Sequence, residues 1–325
     1  MSSFISRIQI KLQIEEARAL LSDGKLVVIP TETVYGLAAN AFSEEAIDEI
    51  YKIKNRPTTN PLIVHVYSIT ELSKIAAKIP KEVYILAKSF CPGPLTFLLE
   101  KLPSISHKIT AGLNTVAVRI PDHPIALELL SKLDFPLVAP SANRSNHISP
   151  TCPEHVSISL GDNTPYILNG GMCTKGIEST IIGFENEVPV IYRLGAIAKE
   201  EIEKVLGVSV EVKNNKEHII APGMLKKHYS PKTSFIVTDS VTQFVNSNLG
   251  KKMGIIVYSK IPPELNNHIV RVLSPNDTME EAMSNLYKTM YDLDLLGLDI
   301  IISELLPNKG LGVSINDRLM RAASD

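Results

Sequence analysis

A chain of 325 residues with 44% hydrophobic and 21% charged side chains can fill about two packed domains, and this composition excludes a disordered or collagen-like polymer. A formal net charge of -2 gives no global attraction to nucleic acid or to an anionic membrane, so any polyanion must be gripped by a local cluster. Cys91, Cys152 and Cys173 are odd in number and lack C-x-x-C spacing, which argues against a disulfide framework or a zinc site and fits a reducing cytoplasm.

Along the chain, "MSSFISRIQIKLQIEEARALL" carries charges inside its apolar portion and no small-residue cleavage site, and no apolar run reaches membrane-spanning length. A cytoplasmic protein with no membrane contact is expected. "KLQIEEARALLS" (11–22) has helical spacing, and "KLVVIP" (25–30) is a short buried strand. Ser43 ahead of Glu44 and Glu45 predicts an N-cap with acids on the positive end of a helix through about Lys54. Strands are expected at "PLIVHVY", "LTFLLE", "TVAVRIP", "PLVAP", "PYILN", "STIIGF" and "VPVIYRL". Helices are expected at "TELSKIAAKI", "KEVYILAKSF" and "HPIALELLSKL". Several strands follow one another with only turn residues between, which predicts a mixed sheet.

Residues 211–232 break the pattern. They are polar and basic, contain Pro222-Gly223 and Pro231, and lack periodicity, as a linker would. Beyond them "SFIVTD", "MGIIVYS", "HIVRVLS" and "LDIIIS" read as strands, with helices near 240–248 and 277–292 and a parallel sheet. The fold class is therefore α/β. Residues 1–210 form a twisted mixed sheet with flanking helices, and residues 233–325 form a small Rossmann-like α/β domain.

The usual nucleotide signatures are missing: there is no G-x-x-x-x-G-K-[ST], and no G-x-G-x-x-G follows a strand. G-x-S-x-G and H-x-x-x-H are absent too, so serine hydrolysis and zinc catalysis lose support. What remains is a set of strand ends carrying polar groups: "IPTETVYG", "KNRPTTNPLIVH", "NTVAVRIPDHP" and "VAPSANRS". Ligands of open α/β sheets collect outside strand ends, so these groups suggest one shared cleft.

Each residue has a plainer alternative. Lys54 and Arg56 either reach a ligand or favour the macrodipole of a helix C-terminus. Arg119 is a cleft residue or a solvated strand residue, and His65 a site residue or a satisfied core histidine. Ser141, Asn143 and Ser149 are also ordinary turn formers, and Cys91 reads as a small buried residue. "HYSP" (228–231) either closes over a ligand or anchors the two domains.

Taken as an ordered set, "PTETVYGLAANA", "KNRPTTNPLIVHV", "CPGPLTFLL", "NTVAVRIPDHP", "APSANRSNHISPT", "GIESTII" and "YRLGAI" resemble the YrdC-type domain of the threonylcarbamoyl-AMP synthases. The likeness continues through "APGMLKKHYSP" to "GLGVSINDRLMRAA", as in the long two-domain form. It implies a nucleotidyltransferase that turns L-threonine, bicarbonate and ATP into threonylcarbamoyl-AMP and pyrophosphate, with Mg²⁺ accompanying ATP and metal ligands unassigned. A separate tRNA threonylcarbamoyl transferase complex would consume the product.

The resemblance further implies ATP contacts from Arg56, Asn60, Thr115, Ser141, Asn143, Ser149, Arg193 and Tyr229. Lys54 and Arg56 are the implied catalytic pair near the phosphates. Threonine would meet Thr33, His65, Arg119, Ser179 and the backbone near Ala139, with Thr31 and Tyr35 beside Thr33 in the cleft. Two departures bear on loop geometry: Asn55 replaces a frequent glycine in K-x-R, and "NHISPT" replaces a glycine-containing turn. The alternative from another class is a double-stranded RNA-binding module without ATP chemistry, and weak RNA binding is a further partner to consider. A carbamoyltransferase ranks lower, because that enzyme carries an acylphosphatase domain and zinc-finger cysteines.

Overall fold

The computed structural model describes residues 7–213, 221–224 and 228–324. Residues 214–220 and 225–227 of the expected linker lie outside the described residues. Val27–Ile29 (β1) is buried on both faces, which explains its unbroken apolar run, and it ends at Pro30, which has no N–H to give a ladder. Val28 packs into one core layer with Leu37, Ile47 and Ile50, while Val27 and Ile29 pack into another with Ile14, Leu21 and Leu129.

The chain returns antiparallel as Gly36–Asn40 (β2), with Ile29 opposite Gly36. There follow Ile63–His65 (β3), Leu95–Glu100 (β4), Thr115–Arg119 (β5), Leu137–Val138 (β6), Tyr166–Ile167 (β7), Thr180–Glu185 (β8), Val188–Arg193 (β9) and Glu211–Val212 (β10). They form a ten-stranded sheet in the order β10-β9-β8-β4-β5-β3-β6-β2-β1-β7. It contains both parallel and antiparallel pairs, so the expected mixed sheet is present. Ser234–Val237 (β11), Met253–Val257 (β12), Ile269–Val272 (β13) and Ile300–Ser303 (β14) form a second sheet, ordered β11-β14-β12-β13 and parallel throughout.

Some elements differ from the sequence reading. "TELSKIAAKI" yields a 3₁₀ helix over Ile69–Lys74 in place of an α-helix. β2 was not anticipated, because "GLAAN" has little intrinsic strand preference and is held by pairing with β1 and β6. Helices Pro153–Leu160, Lys199–Leu206 and Leu311–Ala322 were also not anticipated.

The two sheets share an apolar seam in which Val34, Ile148 and Ile177 meet Met283, Leu286, Tyr287 and Ile315, with Tyr229 between. Tyr291 Oη donates to Ile148 O at 2.8 Å across the same seam.

Candidate active site

The turn after β1 explains its hydroxyls. Thr31 Oγ1 accepts from the N–H groups of Thr33 and Val34, both at 3.2 Å, and donates to Val34 O at 2.6 Å. Since that donation uses its single hydrogen, the 2.8 Å contact with Thr33 Oγ1 must run from Thr33 to Thr31. Arg119, the last residue of β5, donates from Nη1 to Thr33 Oγ1 at 2.8 Å and from Nη2 to Glu32 Oε1 at 2.6 Å. Glu32 Oε2 also accepts from Asp122 N. Thr33 thus keeps one lone pair and no hydrogen to offer. Tyr35 leaves the cleft: its hydroxyl donates to Gly171 O and accepts from Gly170 N.

The helix Glu44–Lys54 starts on Ser43, whose side chain accepts from Ala46 N, and stops on Asn55 at φ 49°, ψ 48°. That left-handed position favours glycine and tolerates asparagine, which accounts for the first departure. Asn146, at φ 69°, does the same within the replaced turn. The stop places Lys54 and Arg56 on opposite duties. Lys54 is buried, and its ammonium donates to Ser141 O at 2.5 Å and Asn143 O at 2.6 Å, tying the helix end to the S-x-N loop. Arg56 donates from Nε to Asn60 O and from Nη2 to Asn60 Oδ1 and Pro61 O, leaving Nη1 unused among the described residues. Burial pushes Arg56 down to about 10, with the Arg193 charge adding to this, so it stays cationic at neutral pH.

Arg193 ends β9 and donates from Nε and Nη2 to Ser179 O, from Nη2 to Ser179 Oγ at 3.0 Å, and from Nη1 to Pro222 O. Ser179 Oγ also contacts Thr96 Oγ1 at 2.7 Å. His65 is pushed down to about 3, first by burial and then by the Arg119 charge, so the ring is neutral. Its Nδ1 lies 3.3 Å from Ile63 O, a carbonyl that can only accept. That contact makes Nδ1 the protonated nitrogen and leaves Nε2 as an acceptor.

Thr33, Arg56, His65, Arg119, Ala139, Ser141, Ser179, Arg193 and Tyr229 line one cavity of about 50 Å³. Asn60 and Asn143 stand behind the lining as supports of Arg56 and of the 143–147 loop. Ser149 donates to Glu178 Oε1 at 2.6 Å, and Thr115 occupies the far end of β5 from Arg119.

The sequence reading missed Glu32, Glu178 and Arg318. Glu178 lines the cavity and is bonded by Ser149, Tyr287 and Arg318. Burial alone would raise its carboxyl, but the charges of Arg318 and Arg193 and its hydrogen bonds hold it at about 2. Arg318 was detectable as a charge on an apolar helix face, three residues after Ile315 and four before Ala322. Its guanidinium carbon sits 4.8 Å from the centre of the Tyr229 ring.

Known proteins match along the whole of this architecture. A family model described as "Telomere recombination" matches residues 19–195, and one described as "Threonylcarbamoyl-AMP synthase, C-terminal domain" matches residues 197–324. The threonylcarbamoyl-AMP synthase of Pyrococcus abyssi is 38% identical over 97% of both chains, and that of Bacillus subtilis is 37% identical over 96% of this chain and 93% of its own. A crystal structure of P. abyssi Sua5 complexed with L-threonine superposes with a TM-score of 0.87 at 39% identity, covering 95% of this chain and 94% of that one. The chain belongs to the threonylcarbamoyl-AMP synthase family, in the form that carries both domains.

Proposed function

We propose that this chain condenses L-threonine, bicarbonate and ATP into threonylcarbamoyl-AMP and pyrophosphate, for later transfer to tRNA by a separate complex. The supporting observation is the meeting of Arg56, Arg119 and Arg193 around one cavity that also holds the Thr33 acceptor. Three guanidinium groups suit a carboxylate, a bicarbonate and a triphosphate that would otherwise repel one another. The relative solved with L-threonine supports threonine as the amino-acid substrate, and the hydrogen-bonding groups at the Thr33 and Arg119 end suit it best.

The threonine carboxylate would take the remaining N–H groups of Arg119. Its ammonium or hydroxyl would donate to Thr33 Oγ1 and His65 Nε2, which both accept. The ammonium would pass one proton to water before the site closes, favoured by the nearby Arg119 charge. The neutral amine then attacks the bicarbonate carbon, the C–OH bond breaks, and the hydroxyl leaves as water with a second proton from the amine. An oxygen of the resulting carbamate attacks the α-phosphorus, and pyrophosphate leaves. Neither step requires a nucleophile from the protein, so positioning is the main contribution. Lys54 serves indirectly, by fixing the Ser141–Asn143 loop through two carbonyls.

Where roughly 10–15 Å³ holds one water, the cavity has room for a few waters only. ATP entry therefore requires the His228–Tyr229 segment to lift, and its return would exclude water from the labile carbamate. Among the described residues the Tyr229 hydroxyl and His228 Nδ1 have no hydrogen-bond partner, so lifting the segment need break no hydrogen bond at either atom. No three His, Cys, Asp or Glu side chains gather among the described residues, so Mg²⁺ would arrive on the triphosphate and shield its charge. Arg119 and Arg193, at 4% and 6% exposure, are out of reach of an RNA duplex, and the RNA-binding alternative draws no support from this cavity.

The test is incubation of purified protein with ATP, Mg²⁺, bicarbonate and labelled threonine. Pyrophosphate should appear only with threonine present; release in its absence would overturn the reading.

A further inference from the structure

Glu178 lines the cavity, Glu32 reaches its edge only through the lining residue Arg119, and the two carboxylates are neutralised from different places. Glu32 is answered by Arg119 within the first sheet. Glu178, 7% exposed, is answered by Arg318 at 2.9 Å from the helix Leu311–Ala322 of the other domain. Tyr287, from the helix Met279–Asp294, adds a 3.0 Å bond to the same oxygen.

Arg318 is itself pinned. It is 1% exposed, and it donates from Nη2 to Leu194 O at 2.7 Å and from Nη1 to Asp317 Oδ2. Its plane also carries the Tyr229 ring, which packs 5.7 Å from the Tyr287 ring. One guanidinium therefore touches a cavity carboxylate and the aromatic residue that covers the cavity.

We propose that Arg318 is a positioning residue of the active site: by cancelling the Glu178 charge and seating Tyr229, it lets a carboxylate-bearing wall accept anionic substrates. This assigns the second domain a defined electrostatic duty, and it rests on the proposed use of ATP. An isolated Glu178 charge would oppose the triphosphate, whereas the paired one does not. Arg193 lies close enough to help hold the carboxylate ionised, but its hydrogen bonds run to Ser179 and Pro222 and none reaches Glu178 among the described residues.

The test is the kinetics of threonine-dependent pyrophosphate release by the full chain. Activity of the unaltered protein checks the functional reading first, so failure there is distinct from failure here. Arg318→Met should raise the KM for ATP about tenfold or more, with a smaller change in kcat. Adding Glu178→Gln to Arg318→Met should recover most of that KM, because the repelling charge is gone. Arg318→Lys, which keeps the charge and loses the fork, should fall between. An unchanged KM in Arg318→Met, or a double variant no better than the single one, would overturn the proposal. If Arg318→Met fails to fold, Glu178→Gln alone decides: a KM at or below that of the unaltered protein supports the charge assignment, and a raised one refutes it.

Discussion

Arg119 and Thr33, 86 positions apart in the chain, are joined by a 2.8 Å hydrogen bond from Nη1 to Oγ1. The bond completes a chain whose direction Val34 O sets, since the Thr31 hydrogen goes to Val34 O and the Thr33 hydrogen therefore passes to Thr31. A substrate donor can therefore approach Thr33, while a substrate acceptor finds no hydrogen there.

Thr33→Val keeps the shape and removes the acceptor. The threonine KM should rise about tenfold, corresponding to about 1.5 kcal/mol for a lost bond to a charged group, with a smaller change for ATP. Thr33→Ser should behave much like the unaltered protein. Steady-state kinetics with each substrate varied decides the matter, and an unchanged threonine KM would remove Thr33 from the site.

Lys54→Met leaves the carbonyls of Ser141 and Asn143 without their buried donor. Stability without nucleotide should drop by about 1 to 3 kcal/mol, as read by urea denaturation. A variant of unchanged stability that loses only kcat would instead place Lys54 on the phosphates.

A Cβ added at Gly195 would lie 2.4 Å from Ser179 C and Thr180 N, and 2.5 Å from Glu178 O. These are backbone atoms of the cavity wall and cannot step aside. Gly195→Ala should cost about 1 to 3 kcal/mol or more and weaken threonine binding as well, measured by thermal denaturation and calorimetric titration.

His65, held at about 3 by burial and Arg119, titrates near 6.5 once the chain unfolds. Between those values only the unfolded chain binds the proton, so stability falls as pH drops through the window. From pH 7.5 to pH 5 the loss from His65 is about 2 kcal/mol, and His155, held at about 4 by burial, adds a similar one. Glu178 behaves oppositely in origin: its folded value near 2 contributes stability that is full above about 4.5 and is lost toward pH 2. Urea midpoints at pH 7.5 and 5 should therefore differ less in a His65→Asn variant. Equal shifts in both proteins would contradict a neutral buried ring.

The sequence reading located the mixed first sheet, the parallel second sheet and most of the cavity lining. Part of the reason is local: "VVI" runs through Pro30 into the Thr31–Thr33 turn and "TVAV" stops at Arg119, whereas Ala139, Ser179, Arg193 and Tyr229 came from the family resemblance. What escaped it was set by tertiary pairing. β2 has a weak local preference, and Glu32 and Glu178 gain meaning only from arginines far along the chain. Lys54 was read as a phosphate contact, whereas its surroundings are two carbonyls. Asn55 and Asn146, which raised doubt about loop geometry, occupy the left-handed conformations that a glycine would have supplied.

Glu178 and Arg318 are 140 positions apart. At a synthesis rate of about 5–20 residues per second, the nascent chain carries Glu178 for about 7 to 28 s before its partner is made. During that interval the first sheet can assemble, but its cavity wall holds a carboxylate that burial would penalise. Water must remain around it until the helix Leu311–Ala322 docks. Closure of the site is thus a late step of biosynthesis, and a chain halted before Arg318 would keep an open, hydrated cleft.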